Sequence, residues 1–194
     1  AVFFLARGLG ALYFVNSIAD EELTGRCRRS FWANAGLFLG FFLAFLVRKL
    51  VADGYAVAPE TGPVCMGPHK YLTNFLEMPV VLVLFLAGVV SVLWGIGRTL
   101  WMKGFDKGIW FAGIGTVLTV LSLLLVAGYN HTAYYPSTAD LQSSLTLQNS
   151  SSSEFTLRTM AYVSILVPFV LAYIFYAWRS IDNRKIERQD TVGE

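Results

Sequence analysis

Cysteine and histidine are nearly missing from this 194-residue chain, which holds two of each. Two cysteines cannot build a disulfide framework, and with so few histidines no spacing resembles that of a closed zinc site. Charge is scarce too. Only 14% of residues are Asp, Glu, Lys or Arg, and the formal net charge of +2 is too small, and too divided between connectors, to attract nucleic acid. No nucleotide-binding glycine loop or nucleophile triad is present. Apolar residues take up the space instead: 55% of the chain is hydrophobic and 15% aromatic, more than a soluble domain of this length could bury. The surplus faces lipid.

The chain is organised around residues 134–173. A polar loop runs through Tyr135-Pro136-Ser137 to Ser150-Ser151-Ser152-Ser153-Glu154, and an apolar run of about 20 positions, bounded by Arg158 and Arg179, follows it. Ser151 and Glu154 have the spacing of a capping box, which predicts a helix start there. Pro168, near mid-span, removes one backbone hydrogen bond, a defect tolerated in lipid where neighbouring helices cover it. It predicts a packed bundle.

Five spans are predicted, at residues 1–18, 31–51, 79–100, 108–128 and 157–178, in one all-α polytopic transmembrane bundle with its N-terminus out and C-terminus in. Ten basic residues fall inside (Arg26, Arg28, Arg29, Arg98, Lys103, Lys107, Arg179, Arg184, Lys185 and Arg188) against four outside (Arg48, Lys49, Lys70 and Arg158), as the positive-inside rule requires. Arg48 and Lys49 are the local exception. Arg7 lies within the first span, where it is expected to pair with a carboxylate, snorkel, or face a proton or substrate path. Residues 20–29 read as a solvated, mixed-charge connector. Gly36 and Gly40 form a small-xxx-small pair that predicts close helix contact. Residues 52–74, with Pro59, Gly62, Pro63, Gly67 and Pro68, read as an external loop. Glu77 precedes the third span, where a carboxylate suits the helix dipole. Trp94 and Trp101 near the inner end of the third span, and Trp110 at the start of the next, fit aromatic belts, and the span at 108–128 reads as a plain spacer.

Candidate ligands are few and badly placed. Cys65 and His69 could share a metal but lack further ligands, and Cys27 lies on the far side of the membrane from Cys65, too distant for a disulfide. His131 falls in the last external loop. Met66, Met78, Met102 and Met160 fall in loops or near span ends, so no inward-pointing axial pair for a haem is expected. Asn130-His131-Thr132 and Asn149-Ser150-Ser151 match the glycan acceptor pattern, which has meaning only in a secretory pathway.

The order Tyr135-Pro136-Ser137, Ser144-Leu145-Thr146, Ser152-Ser153, Thr156-Leu157, Met160, Val167-Pro168 and Tyr173 resembles the last loop and helix of subunit II of the bacterial cytochrome bd quinol oxidases. Asp53-Gly54-Tyr55, Gly10-Ala11-Leu12-Tyr13 and Glu22-Leu23 extend the likeness over nearly the whole chain. The chain begins without methionine inside an apolar run, and the resembled subunit has further helices ahead of this point, so the sequence is expected to be the C-terminal part of a longer subunit.

The resemblance implies a haem-free subunit of a quinol:O₂ oxidoreductase in the bacterial inner membrane, with haem b and haem d, and the catalytic residues, on partner subunit I. It implies no catalytic, cofactor-binding or metal residue on this chain. Further partners would be the quinol pool, membrane lipid and a small accessory subunit; a quinone held as a structural ligand could be lined by Phe41, Phe42, Tyr162 and Tyr173. Two readings from other classes stand beside it. A transporter module would show an internal repeat and discontinuous helices meeting at the midplane, and a quinone-binding anchor would carry mid-span histidines for its own haem b.

Overall fold

The computed structural model describes residues 1–18, 20–58, 63–102, 105 and 107–181; Pro59, Gly62, Lys103, Arg184, Lys185 and Arg188, used in the loop and charge arguments above, lie outside them. Among the described residues the fold is a helical membrane bundle. Four helices are long and apolar enough to cross a bilayer: α2 (Glu21–Val51), α4 (Pro79–Trp101), α5 (Gly108–Gly128) and α7 (Glu154–Ile181). The first helix, α1 (Val2–Ser17), has 16 residues and rises about 24 Å, short of the roughly 30 Å of hydrocarbon. Phe4 stacks on Phe41 at 5.7 Å, and Gly8 lies against the Phe31 ring. α1 therefore lies along the inner part of α2.

The expected connector at residues 20–29 is helical instead. Asp20 caps α2, accepting from the Glu22 and Leu23 N–H groups at 2.8 and 3.2 Å, and Glu22 pairs with Arg26 one turn on. A strong N-cap and an i,i+4 ion pair favour helix over solvated loop. With 31 residues, α2 would rise about 46 Å, so its charged first turns stand beyond the inner membrane surface.

The tightest packing is between α4 and α5, and it overturns the reading of α5 as a spacer. Gly88 and Gly95 of α4 face Gly115, Ala112 and Gly108 of α5 so closely that a Cβ on Gly115 would lie 2.6 Å from the Gly88 carbonyl oxygen. One on Gly95 would lie 2.8 Å from the Gly108 carbonyl oxygen. Without a hydrophobic driving force in lipid, such backbone approach supplies the dispersion contacts that hold helices together. The small residues recur every seventh position, 88 and 95 against 108 and 115, which keeps them on one stripe of each helix. Gly36 and Gly40, expected to serve this purpose, have nothing within 4 Å of a built Cβ. Their face of α2 is open among the described residues.

The outer loop expected at residues 52–74 folds into β1 (Gly54–Val57) and β2 (Val64–Gly67), paired antiparallel with Gly54 opposite Gly67, followed by α3 (Lys70–Glu77). Residues after α5 complete this cap: Val57 donates to the His131 carbonyl at 2.7 Å and Ala133 to that of Tyr55 at 2.9 Å. Gln142, in a 3-10 turn (Leu141–Ser143), accepts from Val64 N–H and donates to Val64 O. Lys49 places Nζ 3.5 Å from the Tyr71 ring centroid. That cation–π contact gives the outer-end lysine a local partner and accounts for its departure from the charge rule.

Gly54 is buried, and a Cβ there would sit 2.6 Å from Lys70 Cβ. Gly54→Val should cost about 1–3 kcal/mol through overpacking, read as faster protease cleavage of the outer cap in the assembled protein. Gly67→Ala, whose new Cβ would meet Ala56 at an ordinary 3.8 Å, should be tolerated.

The capping box predicted at Ser151 and Glu154 forms elsewhere. Thr146 and Asn149 make it on the short α6 (Leu147–Ser150), whereas α7 is capped by Ser153, whose Oγ accepts from Thr156 N–H at 3.4 Å.

Candidate functional site

The helix interior offers little chemistry. On α4 and α5 the buried polar side chains are small hydroxyls that donate to their own helix one turn back: Thr99 to Gly95 O, Thr119 to Gly115 O and Ser122 to Leu118 O, each at 2.8 Å, and the buried Asn34 of α2 likewise donates to Ser30 O at 2.7 Å. Those protons are committed to backbone carbonyls. His69 and His131 are exposed and lie outside the helices, in left-handed backbone with φ of 50° and 52°. Met66, Met102 and Met160 are exposed; Met78 sits in the break between α3 and α4, packed on the cluster of Tyr71, Phe75, Phe85 and Val126. Cys65 is exposed on β2 and Cys27 half-buried on α2. Among the described residues no three His, Cys, Asp or Glu side chains converge as a metal site.

Polar chemistry collects at the two ends. On the outer side Asn74 of α3 is fully buried; its Nδ2 donates to Val126 O at 2.9 Å and Thr132 Oγ1 at 2.8 Å. Asn130, at φ 57°, donates to Asn74 Oδ1 at 3.1 Å and also to the Glu77 carboxylate. Glu77 was expected to face the start of the third span. It instead closes α3, and α4 begins after Met78 with Pro79 in its first turn; the break turns the carboxylate towards Asn130. The network satisfies a carbonyl at the C-terminal end of α5 and fastens α3 to the last loop. On the inner side Arg28 Nη1 donates to Met102 O at 3.3 Å. Arg98 stacks between Trp94 and Phe105, 5.4 and 5.3 Å from their ring centroids.

Arg7 is exposed on α1 with its guanidinium 5.7 Å from the Phe3 centroid; no carboxylate pairs with it among the described residues. The predicted belts hold: Trp94, Trp101 and Trp110 are all more than half exposed near helix ends. Phe41, Tyr162 and Tyr173 are exposed as well. Phe41 and Phe42 border an apolar recess of about 610 Å³ between α2, α4 and α5, but Tyr162 and Tyr173 lie on α7 and are not brought to it.

The most unusual surface is α7. Among the described residues, none of its 28 is buried against the other elements, although its length and apolarity suit a full crossing. Pro168 stands exposed within it and withholds the N–H that Ser164 O would otherwise receive. Sequence reasoning located this helix and its proline, but not its isolation, which no local pattern encodes. The glycine stripe of α4 and α5 was also missed; its signal was the seven-residue repeat of small side chains.

Comparison with known proteins places these features in context. A family profile described as cytochrome bd terminal oxidase subunit II matches residues 1–181. The cytochrome bd-I ubiquinol oxidase subunit 2 of Escherichia coli strain K12 is 27% identical over 193 residues, which is 98% of this chain and 49% of that relative. The same protein from E. coli O6:H1 and O157:H7 matches equally. The chain spans about half the length of the curated relatives it matches.

Proposed function

Because the chain belongs to the cytochrome bd terminal oxidase subunit II family, and so to a multi-pass oxidoreductase complex of the bacterial inner membrane, we propose that it is the haem-free scaffold part of a quinol:O₂ oxidoreductase. In this reading it is the C-terminal half of the subunit. It supports assembly and stability of a haem-bearing subunit I, where the catalytic residues and haems b and d lie.

The observation that carries the reading is α7. A transmembrane helix with no residue buried against the described part of this chain, and with a proline that withholds one backbone hydrogen bond, calls for cover by further helices, from the rest of a longer subunit or from a partner, since lipid offers no hydrogen bond. The placement of the possible ligands also supports it. A haem within the bundle needs His or Met side chains aimed inward from helices, whereas both histidines are exposed outside helices and Met78 is packed at the outer end of α4. These residues do not fit an axial pair. The α3–α4 break lies at the outer end of the bundle, not at the midplane where a transporter site would use it. Quinol, a small accessory subunit and a structural quinone remain further proposals of the same reading.

Affinity purification through this chain should bring down a haem-bearing subunit, with a reduced-minus-oxidised spectrum in the complex and none in the separated chain. Haem retained by the isolated chain, or purification without any larger redox partner, would refute the proposal.

A further inference from the structure

We propose that the inner-leaflet groove between α2 and α4 is a binding site for one anionic glycerophospholipid. The groove encloses about 690 Å³ and is lined by Trp32, Ala35, Gly36 and Leu39 of α2 and by α4 from Val90 onward, ending at Met102. Between Val90 and Met102 it runs about 18 Å along the helix axis at 1.5 Å per residue. That is close to the roughly 15 Å depth of one leaflet's hydrocarbon. Above Leu39 and Leu93 it opens into the apolar recess described above, which continues the path for an acyl chain.

Its chemistry changes along that length as a phospholipid's does. The deep part is wholly apolar. The inner mouth carries Arg98, and three tryptophans, Trp32, Trp94 and Trp101, stand exposed around it at the level where indoles meet headgroups. Arg98 has no carboxylate partner among the described residues, and its buried Nε has no hydrogen-bond partner. Trp94 and Phe105 hold the guanidinium plane from two sides, leaving a cation whose complement is an anion at the membrane surface. A phosphate ester supplies that anion, and basic pockets between helices on the cytoplasmic side are where such headgroups bind. Gly36 contributes the space: nothing lies within 4 Å of a Cβ built on it, so its open face is the width an acyl chain would fill. The tie from Arg28 to Met102 O keeps the mouth of the groove in place. This inference rests on the groove alone and does not depend on the haem-free assignment.

The test uses the intact purified complex after exchange into detergent, with retained lipid identified by native mass spectrometry. Phosphatidylglycerol added back in phosphatidylcholine micelles serves as the titrated probe. Wild type should retain one anionic phospholipid per copy of this chain. Arg98→Gln should weaken phosphatidylglycerol binding about fivefold, the loss of one basic residue at a lipid surface, and Arg98→Lys should recover most of it. Gly36→Phe should abolish retention by filling the groove, with Arg98 untouched. Equal retention in wild type and both disruptive variants, equal binding of phosphatidylcholine alone, or release of a polypeptide in place of a lipid on Gly36→Phe would each overturn the proposal.

Discussion

Gly115→Leu is expected to force α4 and α5 apart and to give the largest loss of stability of any single substitution in the bundle. The first added carbon would sit 2.6 Å from the Gly88 carbonyl oxygen, 2.7 Å from Val92 N and 2.9 Å from Ser91 Cβ. Two of these three neighbours are backbone atoms, which no rotamer change can move. Overpacking in a well-filled core costs about 1–3 kcal/mol when side chains can yield, so the upper end of that range, about 3 kcal/mol, is the expected minimum here. Thermal unfolding of the purified complex should show the loss as a lowered midpoint. The control lies two residues away on the same helix: Gly113 has nothing within 4 Å of a built Cβ, so Gly113→Leu should leave the midpoint within about 0.5 kcal/mol of wild type. Similar behaviour of the two variants would mean that the α4–α5 glycine stripe is not a packing interface.

Asn74→Leu should be the next most damaging change, and its effect should concentrate in the outer cap. The amide is fully buried and makes three contacts: to Val126 O, to Thr132 Oγ1 and from Asn130 Nδ2. Leucine matches its branching but leaves those partners facing an apolar group, and each buried group left unsatisfied costs about 1–3 kcal/mol. Thr132 Oγ1 keeps its own bond to Asn130 O at 3.2 Å, and Asn130 keeps Glu77. The carbonyl of Val126, 1% exposed, has no such reserve among side chains. A total near 3 kcal/mol is therefore expected, read as rapid proteolysis of residues 129–153 in a complex whose spans remain inserted. Asn74→Asp, which retains the acceptor and loses the amide donor, should fall between wild type and leucine. A cap as resistant as wild type in Asn74→Leu would show that the β-hairpin and Gln142 hold the loop without it.

The residues carrying the family likeness explain why these two sites differ in legibility. Asp53-Gly54-Tyr55 and Tyr135-Pro136-Ser137 are some eighty positions apart in the chain, yet both fall in the outer cap, where Tyr55 O accepts from Ala133 N and Tyr135 pairs with Leu145. Their recurrence was visible in order; their meeting was not. The left-handed backbone at His69, Asn130 and His131 likewise has no signature beyond residue types that tolerate it.

From the amino-acid order alone came much of what is governed by distance along the chain. The existence of the long apolar helices, the excess of arginine and lysine towards one set of their ends, and the family resemblance all belong here. Each is a local or periodic property, because a bilayer imposes a length and a charge asymmetry that every span meets by itself. Only the folded structure decided which glycines touch, that Glu77 answers Asn130, that Asp20 turns an apparent connector into helix, and that α7 stands apart from its own chain. Lipid is as apolar as leucine, so hydropathy cannot tell a face that meets another helix from one that meets hydrocarbon; that difference exists only once backbones have come within reach.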